Sequence, residues 1–441
     1  MTLPPLPSLP ALDPPREPEQ ATTRLANGMT LHTFPMPWLR ETGLTVAVRA
    51  GSRFEEERES GAAHFLEHML FKGTARHPDP TELHEAVESL AGDMNAATGN
   101  ETNAYWITLP APCLEAGLDI FCEMFTAPGL HNLDTERRVI LAEMREDYND
   151  QGEITNPALL AAPLLWPGHP LARSILGDER TVSRLTRRHL LTFMQRFYTG
   201  QNMAAAVFGP VTPQRVHPLL ERFFASLPMG TPPVFAPPPP MASGPLWRAV
   251  DDQTAQFTLT LSFRTPGYLD PGALTLAALR RLLDDGFSSR LQTGVREKRG
   301  LVYDVWAARP CHADSGILEL GAQVSPENLL VVFDLLLTEV RALQESPPAP
   351  REWQRIQNRW LASLATAADH PAELVDRYVV DPLMGLHDTL TDTWHQVAGL
   401  APESLPDRAR QWLRWEHLVV ILVGPNAREA LPRLQERMPR L

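Results

Sequence analysis

The chain contains little cysteine and almost no lysine, and it has no long apolar run. Its three cysteines, Cys113, Cys122 and Cys311, are an odd number without metal-pair spacing. They argue against a disulfide framework and favour buried thiols in a reducing compartment. Lysine occurs only at Lys72 and Lys298, which we interpret as compositional bias. No run of about 18 apolar residues occurs, so the sequence predicts no membrane-spanning helix.

The charge and the first residues exclude further classes. The net charge is −13, which argues against a nucleic-acid-binding surface. Residues 1–20 are rich in proline, and a basic start followed by an apolar core, as in a secretory signal, is not visible. We therefore expect an extended or disordered tail at 1–20, no membrane partner and a cytoplasmic location of bacterial type.

The 441 residues divide near their midpoint into two similar parts. Residues 229–245 form a proline-rich linker. On each side of it an apolar run ends in Gly-Pro, at 202–210 and at 417–425, and an amphipathic helical pattern follows. These echoes indicate an internal repeat, and the alternative is that they are ordinary strand–helix units.

The front ends of the two parts also match. Residues 44–48 and 257–263 alternate between apolar and polar side chains, as in strands buried on one face. We predict an α+β fold of two homologous lobes, each a mostly antiparallel sheet packed by helices, closing as a clamshell around a cavity. The predicted divisions are a tail at 1–20, an N-terminal catalytic lobe at 21–228, the linker at 229–245 and a C-terminal substrate-binding lobe at 246–441.

The most informative motif is His-Phe-Leu-Glu-His at residues 64–68. His64 and His68 are four residues apart, so on a helix both imidazoles lie on one face and can bind one Zn²⁺. Glu67 projects beside His68 and can reach a water on the metal. The order His-x-x-Glu-His is the inverse of the commoner zinc motif and is typical of a separate class of zinc peptidases. The alternative is a solvated helix face.

A catalytic zinc needs a third protein ligand. Residues 134–135 look like a helix start, and Glu136, Glu143 and Glu146 follow near one face of that helix. Spacing alone leaves all three glutamates open as ligands, and each could also be a solvated carboxylate.

Three stretches, at 51–74, 136–144 and 169–177, resemble the pitrilysin and mitochondrial processing peptidase family of zinc peptidases. The likeness extends over most of residues 25–310. It implies that Glu143 is the third ligand, that Glu136 supports the site from outside the ligand shell, and that each chain binds one Zn²⁺. It also implies that Glu67 is the general base for a zinc-activated water.

The resemblance also implies residues that hold the substrate. Asn95 and Ala96 match the family's edge strand, which pairs with an extended peptide; the alternative is a plain hairpin with Asn95 in the turn. Arg296 and Tyr303 match a pair that reaches from the second lobe toward the substrate, where Arg can donate to a carbonyl and Tyr can assist an oxyanion. The alternative is a solvated helix end.

Together these features predict a zinc metalloendopeptidase that hydrolyses short or unfolded peptides or precursor segments in a closed chamber. We expect a homodimer, with a heterodimer of related two-lobed subunits as the second choice. The alternatives are a non-catalytic partner subunit and a maturation protease that removes a leader segment.

Overall fold

The structure is a computed structural model that describes residues 12–241 and 243–438. Of the predicted tail, residues 1–11 lie outside the described part, and residues 12–20 form no helix or strand. The end of this segment is anchored to the distant second half of the chain. The carboxylate of Glu17 accepts hydrogen bonds from the Tyr378 hydroxyl and, at 2.8 Å, from the backbone N–H of Thr391.

The N-terminal half, residues 21–228, contains a six-stranded sheet. Its strands are β1 (Ala21–Arg24), β2 (Thr30–Pro35), β3 (Glu41–Val48), β4 (Asp93–Thr98), β5 (Asn103–Pro110) and β6 (Met203–Gly209), in the order β1-β2-β6-β3-β5-β4. Its helices are α1 (Ala62–Leu70), α2 (Pro80–Glu88), α3 (Leu114–Phe121), α4 (Glu123–Thr126), α5 (Leu133–Arg145), α6 (Pro157–Leu165), α7 (Glu179–Val182), α8 (Arg187–Phe197) and α9 (Pro213–Phe224).

The C-terminal half, residues 246–438, contains a five-stranded sheet. Its strands are β7 (Leu246–Asp251), β8 (Phe257–Thr265), β9 (Val302–Ala308), β10 (Gly316–Val324) and β11 (Leu418–Gly424), in the order β7-β11-β8-β10-β9. Its helices are α10 (Ala273–Leu283), α11 (Leu329–Glu345), α12 (Pro350–Thr366), α13 (Pro371–Val375), α14 (Asp381–Leu383), α15 (Leu390–Ala398), α16 (Leu405–Trp412) and α17 (Ala427–Gln435). None of the described helices is long and apolar enough to cross a membrane.

The two sheets share one topology. The order β2-β6-β3-β5-β4 corresponds strand by strand to β7-β11-β8-β10-β9. In both sheets the first of these pairs is parallel and the others are antiparallel. The predicted α+β fold with two related, mostly antiparallel sheets is confirmed. The helix after β8, α10, has no histidine, cysteine or carboxylate, so it lacks the metal-binding side chains of its counterpart α1.

The prediction that the central strands are buried on one face only is wrong. Every residue of β3 except Glu41 is buried. Leu44, Val46 and Val48 pack against the helices of their own half, whereas Ala47 faces a cluster shared with the C-terminal half. The second face of the sheet is therefore covered by the other half of the chain, and the small Thr and Ala side chains there are packing residues.

The halves also exchange a helical segment. Helix α6 of the N-terminal half packs on the outer face of the second sheet, where Leu160 and Leu165 contact the cluster that contains Ile317 and Ile421. Conversely, a residue of the C-terminal half packs on the first sheet: Tyr378 contacts Phe34, with ring centroids 6.2 Å apart. Each sheet is thus sandwiched between its own helices and a segment of the other half.

A buried ion network joins the two halves and the linker. The guanidinium of Arg53 donates to Glu101 at 2.6 Å and to Asp314 at 2.9 Å, and it also donates to the backbone carbonyl of Ala236 at 3.1 Å. It lies over the Phe235 ring, 3.8 Å from the centroid. The side chain of Arg53 is fully buried, so these partners compensate the loss of its hydration.

Candidate metal centre

The start of helix α1 depends on a glycine and on a buried glutamate. Gly61 precedes it with a φ of 91°, and a Cβ there would lie 2.6 Å from the carbonyl oxygen of Leu176, so only glycine fits. The carboxylate of Glu55 accepts from the backbone N–H groups of Gly61 at 2.9 Å and Ala63 at 2.8 Å. Burial raises the pKa of Glu55 to about 8, although these two hydrogen bonds act in the opposite direction. This contact satisfies backbone donors at the start of the helix.

The side chains of the two motif histidines, His64 and His68, and of Glu143 converge on one point, the metal point. The Nε2 atoms of His64 and His68 lie 3.2 Å apart, and each lies 3.8 Å from a carboxylate oxygen of Glu143 on α5. In a tetrahedral zinc site with bonds of about 2.0–2.1 Å, neighbouring ligand atoms are about 3.3 Å apart. Within the described residues this is the one group of three or more His, Cys, Asp or Glu side chains arranged to hold a metal ion. The donor set fits Zn²⁺ and leaves room for a fourth ligand.

The protonation states of His64 and Glu143 are compatible with a bound cation. Burial lowers the pKa of His64 to about 4, and the neighbouring His68 adds to this effect. The imidazole is therefore neutral near pH 7, as a metal ligand must be. Burial also raises the pKa of Glu143, and Glu67 is among the carboxylates that add to the rise, whereas His68 opposes it. A bound cation would relieve the crowding of these carboxylates.

Glu136 lies behind His68 as seen from Glu143 and contacts the other ring nitrogen of that histidine. Its buried carboxylate lies 2.8 Å from Nδ1 of His68, so Nδ1–H donates to it and Nε2 is left with its lone pair toward the metal point. The other oxygen lies 3.1 Å from Nζ of Lys72. Helix α5 begins at Leu133, one residue before the predicted start, and its first turn contains Glu136.

Glu67 lies on α1 between the two histidines, and a residue of the sheet holds its carboxylate by a hydrogen bond. The hydroxyl of Thr98, the last residue of β4, donates to Oε2 of Glu67 at 2.7 Å. Sequence reasoning missed both Thr98 and Lys72. Lys72 carried a signal that we set aside, since it is one of only two lysines in the chain, whereas the contact of Thr98 depends on a fold that brings β4 against α1.

The predicted substrate residues Asn95 and Ala96 lie on β4. This strand is the edge of its sheet, and within residues 12–241 and 243–438 it pairs only with β5, which leaves its other side for further backbone hydrogen bonds. Asn95 is exposed in the middle of the strand and its Oδ1 accepts from the N–H of Ala96 at 2.8 Å. The alternative that Asn95 is a turn residue is wrong, because the turn lies after Thr98.

The predicted substrate residues Arg296 and Tyr303 lie in the C-terminal half, on either side of the loop before β9. Arg296 lies in a π-helical turn, Gln292–Glu297, and contacts Gln292 and the ring of Phe287. Tyr303 lies on β9, the edge strand that corresponds to β4, with 77% of its surface exposed. In the described part of the chain neither side chain hydrogen-bonds or ion-pairs with the residues around His64.

A repeated α+β fold with an inverted histidine motif and a converging carboxylate defines a metallopeptidase. Comparison with protein-family models agrees. Residues 40–179 match the model described as "Insulinase (Peptidase family M16)", and residues 184–359 match "Peptidase M16 inactive domain". The chain belongs to peptidase family M16, which confirms the resemblance to pitrilysin and the processing peptidases. The three metal-point residues lie within the first match.

Curated relatives carry corresponding names. An uncharacterized zinc protease of Mycobacterium leprae is 32% identical over 71% of this chain and 71% of its own length. One of Rickettsia felis is 28% identical over 73% of this chain and 78% of its own length. A probable beta subunit of the mitochondrial-processing peptidase of Arabidopsis thaliana is 30% identical over 60% of this chain and 50% of its own length.

Solved structures share the fold. A protease from Helicobacter pylori superimposes with a TM-score of 0.84 at 21% identity, covering 92% of this chain and all of that one. A structure titled peptidase M16 inactive domain, from Pseudomonas fluorescens, has a TM-score of 0.81 at 20% identity and covers 92% of this chain and 98% of its own. The two-lobed architecture is therefore common to this chain and to structures of family M16.

Proposed function

We propose that this chain is a zinc endopeptidase that cleaves short or unfolded peptides or precursor segments. One observation carries the proposal: His64, His68 and Glu143 form a three-donor cluster, and the same helix α1 also carries a carboxylate, Glu67. Three protein ligands and an open position are what a catalytic zinc requires, and an adjacent carboxylate is what it needs as a base. The single cluster of this kind in the described residues supports one zinc per chain.

Zinc, Glu67 and Glu136 have different roles in the proposed hydrolysis. Zinc, when bound, acidifies a water from a pKa of about 15.7 toward roughly 7 and polarises the scissile carbonyl. Glu67 accepts the proton of the attacking water and later returns it to the leaving amine. Glu136 fixes the ring orientation and tautomer of His68 through the contact at Nδ1.

The open edge of β4 supports an extended peptide as the substrate. A peptide that adds to this edge is held by its own backbone, so Asn95 and Ala96 contact it without strong selection of side chains. An unfolded or short segment offers a free backbone of this kind along its whole length, whereas most of the backbone of a folded protein is already paired. This favours peptides and precursor segments as the substrate class.

A second copy of the chain would complete the site. Tyr303 and Phe287 are 77% and 74% exposed, and Arg296 lies over the Phe287 ring, 5.9 Å from its centroid. In a two-fold dimer the edge of one copy's C-terminal half can face the metal point of the other, so each site receives Arg296 and Tyr303 from its partner. A heterodimer with a related two-lobed subunit uses the same geometry.

The decisive test is a cleavage map. Protein loaded with zinc is incubated with a mixed pool of peptides, and the cuts are located by mass spectrometry with and without a chelator. We expect internal cuts that the chelator abolishes and added zinc restores. The Glu67→Gln variant is the matched control, and it should keep its zinc and lose activity by orders of magnitude.

The same experiment decides between the alternatives. A chain that holds no stoichiometric zinc and cuts no peptide is a non-catalytic partner subunit, and the proposal is then wrong. Normal cleavage by Glu67→Gln contradicts the assigned base. Cuts confined to one end of longer precursors point to removal of a leader segment.

A further inference from the structure

The side chain of Glu67 is held through only one of its two oxygens. Thr98 donates to Oε2 at 2.7 Å, and in the described residues Oε1 has no hydrogen-bond or ion-pair partner. One oxygen is thus anchored to the sheet and the other is free. Anchoring through a single oxygen restricts the rotation of the carboxylate without occupying the atom that reacts.

The hydroxyl of Thr98 is itself oriented by a buried polar chain. Nδ2 of Asn103 donates to Oγ1 of Thr98 at 3.1 Å and contacts the hydroxyl of Tyr105 at 3.5 Å. The hydroxyl of Tyr105 lies 2.6 Å from that of Tyr198. Asn103 and Tyr105 have no exposed surface, and Tyr198 has 2%, so water does not compete with these contacts.

The direction of the hydrogen bonds along this chain is determined by chemistry. An amide nitrogen only donates, and a hydroxyl has a single hydrogen. Thr98 therefore accepts from Asn103 and keeps its own hydrogen for Glu67. Burial raises the pKa values of Tyr105 and Tyr198, so both remain neutral hydroxyls. The bonds from Asn103 to Thr98 and from Thr98 to Glu67 run toward Glu67, whereas Asn103 also donates to the hydroxyl of Tyr105, on the side away from Glu67.

We propose that Thr98 and Asn103 are positioning residues that lock one oxygen of Glu67 and leave the other to take the proton of the attacking water. The inference rests on the function proposed above. It adds a connection between substrate binding and the base, because Thr98 ends β4, the strand whose open edge would hold the peptide. A peptide bound along β4 therefore stiffens the strand that orients the base.

Thr98→Val tests this role, because valine keeps the shape of threonine and removes the hydroxyl. We expect kcat to fall roughly ten-fold or more, as the loss of a hydrogen bond to a charged group implies. KM, zinc content and unfolding temperature should stay close to those of the unsubstituted protein. Thr98→Ser retains the hydroxyl and should recover most of kcat. Thr108→Val on β5, whose side chain makes no hydrogen bond in the described residues, is the matched control and should leave kcat unchanged.

A double-variant cycle separates positioning from a general effect on the strand. In a Glu67→Gln background, Thr98→Val should have no further effect on the residual rate, because the group that it positions is already gone. An additive loss overturns the inference, and so does a Thr98→Val protein with normal kcat or with lost zinc. If the unsubstituted protein cuts no peptide at all, the proposed function has failed instead.

Discussion

Three glutamates near one face of α5 should respond differently when each is changed to glutamine. Glu143 points at the two histidines, Glu136 contacts the back of His68, and Glu146 is exposed just beyond the helix. Spacing in the sequence does not distinguish them. We expect Glu143→Gln to hold no stoichiometric zinc, because it removes one of only three protein ligands.

The effect of Glu136→Gln can be worked out from its contacts. Loss of a group that supports a zinc ligand from behind typically weakens metal binding 10–100-fold. Glutamine still offers an oxygen to Nδ1–H of His68, so we expect the lower end, about ten-fold or about 1.4 kcal/mol. Lys72 keeps 31% of its side chain exposed, so its lost ion pair adds little. Glu146→Gln should change zinc affinity less than about two-fold, because solvent screens an exposed carboxylate.

The assay is competition for zinc against a chromophoric chelator, at neutral pH and fixed ionic strength, on the metal-free protein. Unfolding temperatures of the three metal-free variants serve as the control for folding. If Glu146→Gln loses zinc while Glu143→Gln keeps it, the ligand assignment is wrong. If Glu136→Gln binds as tightly as the unsubstituted protein, the contact to His68 does not support the metal.

Three further predictions concern other parts of the molecule. Arg53→Met should lower the free energy of unfolding by about 3–5 kcal/mol, because it leaves the buried Glu101 without a cationic partner; a loss under about 1 kcal/mol in chemical denaturation would contradict this. Burial lowers the pKa of His32 to about 4 from 6.5, so the unfolded chain binds a proton that the folded one does not, and stability falls by about 1.4 kcal/mol per pH unit as the pH drops from 6.5 toward 4. His32→Gln should lack this contribution, and parallel stability profiles of the two proteins would refute it. Finally, mixing inactive Glu67→Gln chains with Arg296→Ala chains should restore about one quarter of the sites in a randomly assorted homodimer, since half the dimers are mixed and each has one complete site. No recovery after subunit exchange would show that Arg296 acts elsewhere.

The local parts of the site were accessible to sequence reasoning, and the long-range parts were not. His64 and His68 lie on one face of a single helix, so their spacing alone predicts a shared metal, and Glu67 lies beside them in the same helix. Glu143 needed the family resemblance, because local physics treats three glutamates alike. Thr98 was missed since nothing in its own segment shows that β4 ends against α1.

Contacts with a distant part of the chain also explain why the prediction for β3 was wrong. Its alternation of apolar and small polar residues resembles a strand with one solvated face, yet Ala47 packs against the other half of the chain. Burial by a segment from hundreds of residues away leaves no local trace. The similarity of the two sheets was predictable because matching segments recur in the sequence of both halves, and this does not depend on how the halves pack.

The exchange of segments between the halves means that the covalent continuity of the linker is not the only thing that keeps them together. Helix α6 is fixed on the second sheet through Leu160 and Leu165, and Tyr378 is fixed on the first through Phe34. Each fully buried side chain of this size contributes about 1.5–3 kcal/mol, and the Arg53 network closes the junction. A chain cut once within residues 229–245 would therefore remain one particle. Either fragment made alone would expose one face of its sheet and tend to aggregate.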